Sequence, residues 1–159
     1  MPRPRPRLRS SLPLLAGTVP LAIALLLGGC SHPAPDATPD GALRTWLERM
    51  EESEDDPAAG REAYALLGPQ ARANLEERAR RASQAQGRRA EPYEMLAGGR
   101  FGLKFRPKSM HASGVGDQAT VEVIGAEPAM EHATVRCARE TAGWRVEPEL
   151  PEIAILPKR

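Results

Sequence analysis

Apolar residues recur along this chain with two different periods. Leu43, Trp46, Leu47 and Met50 stand at the i, i+3, i+4 and i+7 positions of one helical face, behind Asp40, whose carboxylate suits a helix N-cap. After five acids in the six residues 51–56, Asp56-Pro57 supplies a second cap and first-turn proline. Ala63, Tyr64, Leu66 and Leu67 carry that helix to a stop at Gly68. A third helix after Pro69 bears the thin stripe Ala71, Leu75, Ala79 and Ala82 and ends near Gly87, which predicts that it lies against the domain rather than inside it. A short turn over residues 91–97 turns Tyr93 and Leu96 inward.

Beyond Gly99 the period drops to two. Phe101, Leu103 and Phe105 alternate with Gly102, Lys104 and Arg106. Ala119, Val121 and Val123 repeat the scheme, as do Ala133, Val135 and Cys137, and Trp144 with Val146 closes it. This pattern predicts four half-buried antiparallel strands joined near residues 113–116, 125–130 and 141–143. Helices followed by strands define an α+β class. The expectation is three to four N-terminal helices packed on one face of a curved four-stranded antiparallel sheet.

The first 40 residues follow neither period. Arg3, Arg5, Arg7 and Arg9 alternate with prolines, and an apolar run spans residues 12–27, ending in Leu27-Gly28-Gly29-Cys30. The run is broken by Pro13 and Pro20 and falls short of the roughly 20 apolar residues that a membrane-spanning helix needs. It has the layout of a secretory signal peptide. Residues 31–39 hold three prolines and read as a semi-extended tether of roughly 3 Å per residue. The expected organisation is a signal peptide over 1–29, a tether over 30–39 and an α+β domain over 40–159. Of the 16 prolines, half precede residue 40.

Leu27-Gly28-Gly29-Cys30 resembles the lipobox of bacterial lipoproteins. That resemblance implies a diacylglyceryl group on the Cys30 thiol, cleavage before Cys30 and acylation of the new amine. It implies a protein held in the cell envelope by lipid, and Ser31, standing where an Asp would mark inner-membrane retention, favours the outer membrane facing the periplasm. Lipidation leaves Cys137 unpaired, so no internal disulfide is expected. By strand parity Cys137 is a small buried hydrophobe.

The hairpin strand over residues 116–123 and the closing strand over 143–147, set behind several helices, resemble the nuclear transport factor 2-like or ketosteroid isomerase-like cone fold. The resemblance covers about residues 40–151. It implies a curved sheet that often dimerises through its outer face, and a cavity between helices and sheet that other members use for catalysis or ligand binding. No catalytic motif of the enzymatic members matches here residue by residue.

Charge and chemistry narrow the function. The total of +1 includes the four leader arginines, and without them 18 basic side chains face 21 acidic ones. A mildly acidic domain gains little from counterion release, which argues against nucleic acid. Candidate pocket residues for a small-molecule enzyme of isomerase or dehydratase type are Tyr93 and His111, with Tyr64, Glu94 and His132 considered; parity turns His132 outward. The competing reading is a non-enzymatic binding or envelope-interaction module. Arg100, Lys104, Arg106 and Lys108 share one strand parity in a stretch, residues 95–116, that contains no acid. That stripe would meet an anionic envelope component or an acidic protein. The acids over 48–56 lack the spacing of a calcium loop and read as a solvated helix end. No cofactor or metal is expected.

Overall fold

In a computed structural model of the protein, which describes residues 34–96 and 101–153, the first helix starts two residues earlier than Asp40 suggested, with Thr38 as its N-cap. Thr38 is extended and its Oγ1 accepts a hydrogen bond from the Gly41 N–H at 3.2 Å, with Pro39 in the first helical position. α1 (Pro39–Glu52) buries Ala42, Leu43, Trp46 and Met50. The Asp56 carboxylate caps α2 (Pro57–Ala65) by accepting from the Ala58 N–H at 2.8 Å, as the Asp-Pro pair predicted. α3 (Pro69–Gln86) buries only Ala71, Leu75 and Ala79 and ends at Gly87, whose φ of +67° suits glycine. A 3-10 turn, Pro92–Met95, then brings Leu96 into the core.

Four strands follow: β1 (Ser109–Val115), β2 (Gln118–Ile124), β3 (His132–Glu140) and β4 (Gly143–Glu147). They form one sheet in the order β1-β2-β3-β4 with every neighbouring pair antiparallel. The fold is therefore α+β, with the helices preceding the sheet and packing against it. Ala119, Val121, Val123, Cys137 and Val146 form the inner side of the sheet and meet Leu43, Trp46, Leu67 and Leu75 in one cluster. Beyond β4, the chain between α2 and α3 closes the edge: Val146 N–H donates to Leu66 O and Gly68 N–H to Val146 O, each at 2.8 Å.

Two expectations are corrected. The strand foreseen over residues 101–105 lies instead at Ser109–Val115. Residues 101–108 keep their alternation, since Phe101, Leu103 and Phe105 are half-buried on the core while Lys104 and Arg106 are exposed. They form no ladder because the free edge of β2 is taken by β1, where Lys108 N–H donates to Ile124 O at 2.8 Å, and Pro107 has no N–H to offer. The second correction concerns the tether. From Ala34 onward the chain is folded onto the domain: Pro35–Ala37 is a 3-10 turn, and Asp36 Oδ2 meets Arg145 Nη1 at 2.7 Å. Gly143 adopts φ +140°, and a Cβ there would lie 2.6 Å from Asp36 Oδ2, so glycine is what lets this segment approach. The foreseen signal peptide, Cys30 and residues 31–33 lie outside the described residues.

Candidate functional site

The apolar side chains of residues 101–110 fix that segment beside the second half of α1. Phe101, Leu103, Phe105 and Met110 pack on the core cluster, and the Arg78 guanidinium stacks 5.6 Å from the Phe101 ring centroid. Phe105 also depends on Gly125, where a Cβ would come within 2.8 Å of its ring. Anchored in this way, the segment stands off from α1 and leaves a groove between them.

Two joined clefts of about 500 and 450 Å³ make up the groove, and they share Leu47, Glu51, Arg106 and Pro107. Leu47, Met50, Leu103, Phe105 and Met110 give it an apolar floor. Glu48, Glu51 and Glu54 stand along the α1 side, with Arg44 among them, and Lys104, Arg106 and Lys108 along the other. Arg106 Nη2 reaches across it to Glu51 Oε1 at 3.2 Å. The Arg106 side chain is 93% exposed, so this pair is weak and easily exchanged for another anion.

The expected cationic stripe is thus one wall of a groove with charges of both signs. Arg100 lies outside the described residues; Lys104, Arg106 and Lys108 are all exposed. Arg44, Glu48 and Glu54 joined this site only through folding, because about 50–60 residues separate them from the segment they face and no local pattern links the two.

The chemistry-bearing groups singled out as pocket candidates are scattered. Tyr93 lines a separate cleft with Ser53, Gly60 and Glu94, its hydroxyl accepting from Arg61 Nη2 at 3.3 Å and its ring lying 4.8 Å under that guanidinium. His111 is exposed on β1 opposite Glu122, so it shares no cleft with Tyr93. Its inward orientation required a regular strand from Phe105, and the irregular segment before β1 breaks that parity. His132 pairs with Glu122 at 2.8 Å on the outer side of the sheet, and Glu94 with Arg88 at 3.3 Å. Tyr64 donates to Glu76 Oε1 at 2.9 Å; burial first, and then that carboxylate, pushes its phenol up to about 12. Among the described residues no group of three or more His, Cys, Asp or Glu is placed to hold a metal ion.

Two buried charges escaped the sequence. Arg145 and Glu147 are each only 8% exposed. Arg145 meets Asp36, with Glu140 Oε2 3.7 Å from its Nε, and Glu140 also accepts from Arg72 at 2.5 Å. Glu147 receives two backbone N–H groups of α3. Both residues are structural ties between the sheet and chain far away in sequence. Among the described residues no helix is long and apolar enough to cross a membrane.

Comparison with known proteins finds no matching family model, no matching curated protein and no matching solved structure. The functional reading therefore rests on the residues and their geometry.

Proposed function

We propose that this chain is a lipid-anchored envelope protein, acylated at Cys30 and facing the periplasm, whose α+β domain is a non-enzymatic binding module. Basic leader, interrupted apolar run and Leu27-Gly28-Gly29-Cys30 support the anchor. Two acyl chains hold firmly where one binds marginally, at about 0.8 kcal/mol per buried methylene. The expected mature chain begins at Cys30. Mass spectrometry of native protein should find acyl groups there, and an inhibitor of lipoprotein signal cleavage should accumulate precursor. A bare Cys30 thiol removes the anchor.

The observation that carries the binding role is the groove wall of Lys104, Arg106 and Lys108, presented by a segment whose alternate side chains are locked on the core. The interior favours this over the isomerase or dehydratase alternative. Where the cone fold implies a ligand cavity between helices and sheet, the side chains that meet, Trp46, Leu43, Leu67, Leu75, Val121, Val123, Val146 and Cys137, bring no carboxylate, imidazole or phenol for proton transfer. The acids on the α1 side repel a ligand that is negative throughout. An envelope component or acidic protein segment with anionic groups along one edge fits best.

Envelope pulldown tests the groove, using chain that lacks residues 1–30 so that retention does not depend on lipid. Charge reversal of Lys104 and Arg106 together is expected to release the protein into the supernatant. Equal retention of parent and variant removes the groove from this reading.

A further inference from the structure

The same end of the domain gathers three features that are far apart in sequence. The β1–β2 turn at Gly116-Asp117 and the β3–β4 turn at Thr141-Ala142 lie at one end of the sheet, because β1 and β3 both run toward it. Arg139 N–H donates to Asp117 O at 2.8 Å, which holds the two turns side by side. The chain arriving from residue 34 docks at this end, through Asp36 on Arg145 and its close approach to Gly143. Val115, beside the first turn, is 92% exposed.

The opposite end carries different groups. Gly125 and residues 126–131 connect β2 to β3 there, with Met130 at 82% exposure, and β1 begins there at Ser109. A strand rises about 3.3 Å per residue, so the seven residues of β1 separate the two ends by roughly 20 Å. α1 spans a similar distance: its first residue, Pro39, has its carbonyl 3.8 Å from Cys137 Sγ, while its second half lines the groove beside Ser109.

From these positions we propose that the sheet end carrying the β1–β2 and β3–β4 turns faces the lipid bilayer, with Val115 entering the interface and the groove opening away from it. This rests on the reading that Cys30 carries the lipid. Four peptide links separate Cys30 from Ala34, and consecutive Cα atoms stand 3.8 Å apart, so the acylated sulfur's backbone lies within about 15 Å of the docked turn. Docking at Asp36 replaces a long free leash with a short one. A domain held that closely at one end presents that end to the headgroups, and an exposed valine there gains by leaving water. The bilayer is the occupant this end of the sheet fits, since the exposed Val115 stands at the end where the attached chain docks.

Native full-length protein in membrane vesicles tests the orientation, through single cysteines placed at two exposed sites, Val115→Cys and Met130→Cys, and labelled with a thiol-reactive fluorophore. Cys137 is buried and takes no label, and an acylated Cys30 takes none either, so the parent chain serves as the blank. With nitroxide-headgroup lipids in the vesicles, the label at 115 is expected to lose fluorescence and the label at 130 to keep it. Asp36→Ala should make the two labels alike while flotation with vesicles persists. A floating, unlabelled parent whose two variants are quenched equally, or more strongly at 130, overturns the orientation alone. A parent that takes label at Cys30 and does not float overturns the anchor, and the orientation with it.

Discussion

Glu147 of β4 caps α3 through Ala71: its Oε2 accepts the Ala71 N–H at 2.9 Å, and Oε1 accepts that of Gln70 at 3.0 Å. A helix start normally takes its cap from the residue just before it, but here that residue is Gly68, which has no side chain to offer. Its lack of a Cβ is what makes room, since a methyl group at Gly68 would collide with the Glu147 carboxylate. Negative charge at a helix N-terminus is favourable, and the carboxylate also fastens helix to sheet. Glu147→Ala leaves two N–H groups without an acceptor and is expected to cost about 2 kcal/mol, with Glu147→Gln costing less because its amide oxygen still accepts. Urea unfolding followed by circular dichroism reads both. If Ala matches the parent, the cap contributes nothing.

Asp36 and Arg145 make the tie that brings the N-terminal segment onto the domain. The Arg145 guanidinium is largely buried and also donates to Trp144 O at 2.8 Å, so removing Asp36 strands a charge with one remaining carboxylate, Glu140. Truncating Arg145 strands Asp36 and removes the donor to Trp144 O, while Glu140 keeps Arg72, and it should cost more than truncating Asp36. Their coupling in a double-mutant cycle is expected at about 1–2 kcal/mol. Limited proteolysis adds a local readout: Asp36→Ala should admit cleavage near residue 38 while the sheet stays protected. Additive single and double variants would mean that the pair merely coexists.

These two ties mark the limit of what the primary structure discloses. The face of α1 was legible because Leu43, Trp46 and Met50 repeat at helical spacing within eight residues, and β2 and β3 because apolar alternation is local. β1 was not. Its inner positions Ala112 and Gly114 are exposed, so Ser109–Val115 carries no apolar alternation, whereas Phe101, Leu103 and Phe105 alternate strongly without pairing. Alternation records which side chains meet the core; strand identity depends on a partner's free edge. The groove was half legible for the same reason. Its basic wall is contiguous in sequence, while Glu48, Glu51 and Glu54 had been readable only as a solvated helix end. Arg145 and Glu147 gave no sign of burial, their partners lying 109 and 76 residues away.

Trp46 offers a contrast between shape and polarity. Its ring is fully buried in the core, yet among the described residues its Nε1 has no hydrogen-bond partner. A buried N–H without an acceptor costs about 1–3 kcal/mol, an amount that Phe at this position would recover. Trp46→Phe is therefore expected to change stability by about 1 kcal/mol or less, the recovered desolvation offsetting the lost ring volume. Trp46→Ala should cost about 3–5 kcal/mol through the cavity it leaves. Thermal and urea melts of both variants check this. A Phe variant as unstable as the Ala variant would mean that the indole N–H is satisfied in solution.

Cys137 sets the last expectation, because its thiol is fully buried between the sheet and α1. Burial chiefly, with the negative charges of Asp40 and Glu147 adding to it, pushes the thiol up to about 12 from an ordinary value of 9.0. A thiol without its thiolate is a poor nucleophile, so at pH 8 a disulfide reagent should leave Cys137 untouched in the folded chain lacking residues 1–30 and consume it once urea is added. The same shift fixes the direction of a pH effect. Between pH 9 and 12 the unfolded chain has given up this proton while the folded chain keeps it, so stability falls as pH rises through that window and is unaffected by this group below it. Tyr64, raised from 10.0 to about 12, acts in the same direction over the upper part of the window. Cys137→Ala should flatten the alkaline decline without abolishing it, Tyr64 still contributing. An unchanged slope in that variant, or rapid modification of the native thiol at pH 8, would show the site to be open to water.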